Sequence, residues 1–71
     1  MRTYWLKPRY RWNVVTGEVM GMGWAAVHQH LRETRLRLGE YETHLAAQLA
    51  ASILEIYQVN GAALCCEIER A

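Results

Sequence analysis

Apolar and polar residues alternate most cleanly near the start of the chain. Tyr10, Trp12 and Val14 interleave with Arg9, Arg11 and Asn13, the period of a half-buried strand. Thr3 to Lys7 is short and rich in aromatic and β-favouring residues, with Pro8 interrupting before the next run. Two strands are therefore predicted, near 3–7 and 10–16, separated at Pro8. On that reading Tyr4 and Leu6 point inward and Trp5 and Lys7 outward; Arg9 and Arg11 form the outer face of the second strand. Thr16-Gly17-Glu18 is a turn, and Gly21 and Gly23 mark a bent or flexible piece.

Residues 24–38 fit two patterns. As a helix, Trp24, Val27, Leu31, Thr34 and Leu38 form a stripe at 3–4 spacing, with Gly39 as its C-terminal cap. As a strand hairpin, Thr34-Arg35-Leu36-Arg37-Leu38 alternates, with both arginines outside. Propensity favours the helix, and Arg32-Glu33 makes a poor hairpin turn. Residues 43–58 read as the main helix, capped by Thr43. Its broad apolar face is Leu45, Leu49, Ile53 and Ile56, joined by Ala46, Ala50, Leu54 and Tyr57. A narrow polar stripe of His44, Gln48, Glu55 and Gln58 remains, so packing is expected over most of its circumference. Asn60-Gly61 ends it. Leu64, Cys66 and Ile68 then alternate with Cys65, Glu67 and Glu69, a final strand near 63–69. The expected fold is α+β. A small antiparallel sheet of three to four strands packs on one main helix, and residues 24–38 supply either a strand hairpin or a second helix. At 71 residues the chain is a single domain spanning 1–71.

Composition narrows the chemistry. Hydrophobic residues make up 52% of the chain, enough for one core but leaving little volume for a deep substrate pocket. There is no Asp, and the one serine, Ser52, lies mid-helix, so no nucleophile–base arrangement is legible and no enzymatic activity is expected. Gly17, Gly21 and Gly23 match no nucleotide fingerprint. His28 and His30 would share a face on a strand, with His44 as a third ligand, but the spacing matches no established metal motif; no metal or cofactor is expected. The adjacent Cys65 and Cys66 would point to opposite faces of a strand, so no ordinary structural disulfide is expected between them, and they read as small packing residues of a reducing, cytoplasmic protein. No secretory leader or membrane-spanning run is read from the sequence.

Net charge is only +1, but it is unevenly distributed. Residues 1–38 carry seven basic against two acidic residues, a net +5; residues 39–71 carry one basic against five acidic, a net −4. Such asymmetry points to an anionic partner. One sheet face would carry Trp5, Lys7, Arg9 and Arg11, with Arg35 and Arg37 added if residues 34–38 are a strand. Arginine forks suit phosphates and base edges, and an aromatic ring can stack on a base. The same features also describe a solvated face whose long side chains cover apolar rings.

Arg35-Leu36-Arg37-Leu38-Gly39-Glu40-Tyr41-Glu42-Thr43 resembles the strand-to-helix junction of the plant ethylene-response-factor type of DNA-binding domain. Relatives of that domain include the arm-binding domains of phage integrases. Trp24 and Ala26 match its Trp-x-Ala strand, and Ala47 and Ala50 its alanine-rich helix. The resemblance implies major-groove reading from a three-stranded sheet and nominates Arg35, Arg37 and Trp24. His28 stands where that family has an apolar core residue, and the closing strand near 63–69 lies outside that family's core. From Thr43 onward the layout is also similar to small phage anti-CRISPR inhibitors. The expectation is a small non-enzymatic binding protein of phage or mobile-element type that binds nucleic acid through a basic sheet face. The alternative is an inhibitor that docks on an acidic surface of a host protein or nucleoprotein complex. A homodimer held by residues such as Val15, Met20 and Met22 is a third possibility.

Overall fold

The computed structural model describes residues 3–71 and has the order β1 (Tyr4–Asn13), β2 (Val19–Met20), α1 (Trp24–Thr34), α2 (His44–Ile56) and β3 (Ala62–Arg70). The three strands form one antiparallel sheet with β1 in the middle, in the order β2-β1-β3. This is the expected α+β class, with residues 24–34 helical rather than a strand hairpin.

The two strands expected near 3–7 and 10–16 are one continuous strand. Pro8 does not break it, because the N–H groups of Tyr4 and Leu6 point to the edge opposite β3. They donate there to the carbonyls of Tyr41 (2.8 Å) and Leu38 (2.6 Å). Pro8 continues that even-numbered series, so its missing N–H removes no bond to β3. The β1–β3 register runs from Tyr4 opposite Arg70 to Asn13 opposite Ala62, and it shifts between Pro8 and Tyr10, leaving Arg9 without a residue opposite it. Arg9 is thus the extra residue of a β-bulge, and the side-chain alternation reverses beyond it.

Val14–Thr16, expected in the second strand, form a turn instead. The Asn13 side-chain carbonyl accepts from the N–H groups of Val15 and Thr16 at 2.9 and 3.0 Å. Gly17 supplies the positive φ, 76°, that lets the chain return as the short β2, which the sequence pattern had not revealed. A second tight reversal joins α2 to β3. Val59 and Ala62 exchange backbone hydrogen bonds around Asn60 (φ 53°) and Gly61 (φ 76°), the two left-handed residues that a two-residue reversal of this hand requires.

Helix α1 stops before the stripe ending at Leu38. Arg35 adopts left-handed geometry (φ 58°), and the Leu36 N–H donates back to the Leu31 carbonyl at 3.2 Å. The cap is thus Arg35 and not Gly39. Residues 36–41 then run back along the edge of β1, so Tyr4 and Tyr41 form an antiparallel bridge. Helix α2 begins at Thr43, whose hydroxyl accepts from the Ala46 N–H at 3.0 Å, as expected of an N-cap.

The core lies between the helices and one sheet face. Leu6, Val27, Ala47, Ala50, Leu54 and Leu64 form it, with Tyr4, Leu31, Leu36, Leu38, Cys66 and Ile68 packed around them. Burying each large aliphatic side chain contributes about 1.5–3 kcal/mol. His30 is also buried, its ring edge-on to Tyr57, and its Nε2 has no hydrogen-bond partner. His28 is exposed, and His44 sits on α2 against the Tyr4 ring, so the three histidines do not converge. Among the described residues no group of three or more His, Cys, Asp or Glu is placed to hold a metal, and no helix is long and apolar enough to cross a membrane.

Candidate interaction surface

The outer sheet face is built by β1 and β3. Register places Trp5, Lys7, Tyr10 and Trp12 on the same side as Glu69, Glu67, Cys65 and Ala63. Trp5 and Lys7 are outward, as the alternation predicts. Arg11 is not. It lies opposite Leu64 on the helix-facing side, and its guanidinium donates twice to the Gly21 carbonyl, at 3.2 and 3.0 Å. Tyr10 and Trp12, expected inside, take the outer face instead. The cause is the bulge at Arg9, since a one-residue insertion moves every following side chain to the opposite face. Nothing in the local pattern signals it, because the alternation of residues 9–14 is regular in either phase.

The remaining nominated residues are dispersed. Trp24 opens α1, Arg35 caps its end, and Arg37 lies in the following loop, all three exposed. Arg37 is tied into that loop: its Nε donates to the Gly39 carbonyl at 2.8 Å and its Nη2 to the Glu40 carbonyl at 3.2 Å, while the guanidinium lies over the Tyr41 ring. The basic face assembled from strand parity therefore reduces to Lys7 and Arg9. Both are paired across the sheet, Lys7 with Glu69 and Arg9 with Glu67, each at 3.3 Å, with all four side chains about half exposed. The pairs cancel the formal charge of this face. They contribute only about 0–1 kcal/mol each, being exposed. The surface that results is aromatic and neutral: Trp5, Tyr10, Trp12 and the neighbouring Val19 of β2, framed by two ion pairs.

Beside the bulge, Pro8, Arg9, Tyr10, Glu55, Cys65, Cys66 and Glu67 line a shallow cleft of ≈ 610 Å³. Burial, then the neighbouring Cys65 and Glu55, pushes the Cys66 thiol up to about 12. The Tyr10 phenol is also raised, chiefly by hydrogen bonding with the Cys65 side chain. Both groups are thus weaker acids than usual and stay protonated near neutrality.

Helix α2 presents the second surface that the periodicity misassigned. The core takes Ala47, Ala50 and Leu54, whereas Leu45, Leu49, Ile53 and Ile56 are 63%, 57%, 47% and 77% exposed. Small alanines let the helix settle close on β3, so the large aliphatic side chains are left on the far side. Of the residues suggested for a dimer contact, Val15 is exposed, but Met20 and Met22 are half-buried and Met22 packs on the core.

Fold and surface together describe a small α+β domain with two exposed apolar faces. No protein-family model matches the chain, and neither does any curated protein or solved structure.

Proposed function

We propose that this protein is a non-enzymatic binding module that docks on another protein through the outer face of its sheet. One observation carries the reading: the bulge at Arg9 gathers Tyr10 and Trp12 beside Trp5, while Glu67 and Glu69 neutralise Arg9 and Lys7. Tyr, Trp and Arg are the residues that dominate protein–protein contact energies. Two carboxylates lying among the cations oppose a phosphate backbone. A partner with its own mixed charges can instead exchange ion pairs with the four charged side chains, which holds for an inhibitor of a larger protein as well as for an adaptor.

Nucleic acid is the second reading, favoured by the aromatic residues alternating with Lys7 and Arg9 on one sheet, a pattern that suits stacking of single-stranded bases. One titration separates the two. Labelled single strands and duplexes are added at low and at physiological salt. The protein-docking reading expects weak binding at both, whereas tight binding that falls steeply with salt and weakens in K7A and R9A would overturn it. The positive arm uses Tyr10→Glu and Val19→Glu, at positions 41% and 69% exposed, with the fold of each variant checked by circular dichroism. Each is expected to abolish retention of the protein partner that wild type retains, while Arg35→Ala leaves it unchanged.

A further inference from the structure

We infer that the outer stripe of α2 is the contact between two copies of this chain, which pair their α2 helices antiparallel about a two-fold axis. Leu45, Leu49, Ile53 and Ile56 follow one another at intervals of four, four and three residues. At about 100° per residue they fall on one side of the helix, away from Ala47, Ala50 and Leu54. Together they make a contiguous apolar patch of roughly a few hundred Å², about the size of the largest patch on an ordinary monomer, which is often functional. The sheet face proposed above is a different surface, so this contact does not depend on that reading.

Three features select a second copy as the occupant. The first is spacing. A two-fold contact requires that residue i meet j while j meets i. With the axis at the level of Ala51, Leu49 of one copy lies level with Ile53 of the other, and Leu45 lies within one residue of Ile56. Every large apolar residue of the stripe thus faces another. The second is shape. Ile53, Ile56, Tyr57 and Gln58 line a mostly apolar cleft of ≈ 550 Å³ at the C-terminal end of the stripe, and the same register brings Leu45 of the second copy to it. The third is charge. Glu55 is the only Asp, Glu, Lys or Arg between His44 and Ile56, and it lies on the polar side with Gln48 and Ser52, so self-pairing sets no like charges against each other. Antiparallel helices also place opposite dipole ends side by side. Tyr57, 44% exposed, and Gln58 adjoin the patch at its C-terminal end; an ordinary stable contact buries roughly 800 Å² per partner.

The test is the mass of the full chain in solution over about a hundredfold range of concentration, by sedimentation equilibrium. Twice the 8.2 kDa protomer mass is expected at the upper end. Leu49→Glu should weaken association by more than about 100-fold, since a carboxylate would be buried without a partner. Its helical circular dichroism should be unchanged, because Leu49 is exposed in the protomer. Ile53→Lys alone should do the same. Mixing the two variants should restore a heterodimer, because the register sets the new carboxylate of one copy against the new ammonium group of the other. A protomer mass at every concentration, or association that survives Leu49→Glu, would overturn the inference. Failure of the mixture to re-associate would overturn the antiparallel register. Tyr10→Glu, on the sheet face, should leave the mass unchanged.

Discussion

Replacing Gly39 with alanine adds one methyl group where the chain has no room for it. Gly39 is buried, and a Cβ on it would land inside the Trp5 ring, closer to Cε3, Cζ3 and Cη2 than any real contact allows. The loop has little freedom to retreat. Leu38 and Tyr41 on either side are hydrogen-bonded to β1, and Arg37 grips the Gly39 carbonyl. Trp5 must therefore swing off the loop or residues 38–41 must lift from the strand. Overpacking of this kind costs about 1–3 kcal/mol. Gly→Ala otherwise stabilises by about 0.4–1 kcal/mol through the unfolded chain, so a net loss of about 1–2 kcal/mol is expected. For a domain of this size each 1 kcal/mol moves Tm by about 4–8 °C. Thermal unfolding followed by circular dichroism measures it. The cause is isolated by a double-mutant cycle with Trp5→Ala, in whose background Gly39→Ala should cost less than about 0.5 kcal/mol. Gly39→Ala within about 0.5 kcal/mol of wild type, or an equal cost in both backgrounds, would refute the steric argument. Because Trp5 also belongs to the proposed docking face, Gly39→Ala should weaken partner binding without touching the partner.

Two further outcomes follow from the backbone and the thiols. Arg35 holds a left-handed conformation in which a side chain is unfavourable by about 1–2 kcal/mol, so Arg35→Gly should raise stability by up to about 1 kcal/mol in denaturant titration; a loss would mean that the arginine side chain contributes to the fold. The Cys66 thiol, raised from 9.0 to about 12, should be alkylated about a thousandfold more slowly near pH 8 than an ordinary thiol of equal access. The unfolded chain releases that proton near its ordinary value and the folded chain only near 12. Stability from this group is therefore complete below pH 9 and declines between about pH 9 and 12, and Cys66→Ala should flatten that decline.

Local sequence by itself determined the fold class, the main helix with its Thr43 cap, and the final strand and its facing. These rest on interactions between near neighbours, which a periodic pattern or a capping residue states outright. The helix stops at Ile56, before the Asn60-Gly61 pair expected to end it, and that pair instead makes the turn into β3. Tertiary structure decided which face each residue takes. The bulge at Arg9 exists only because β1 must stay in register with β3 on both sides of it, and that register carries Arg11 inward and Tyr10 and Trp12 out. The choice between helix and strand for residues 24–34 was open locally and was settled as α1, leaving residues 36–41 to cover the edge of β1. On α2 the apolar residues encircle most of the helix, and periodicity could not rank one arc above another. The close approach to β3 selected the alanines for the core and left Leu45, Leu49, Ile53 and Ile56 in water, because a three-stranded sheet of this size covers only one side of the helix.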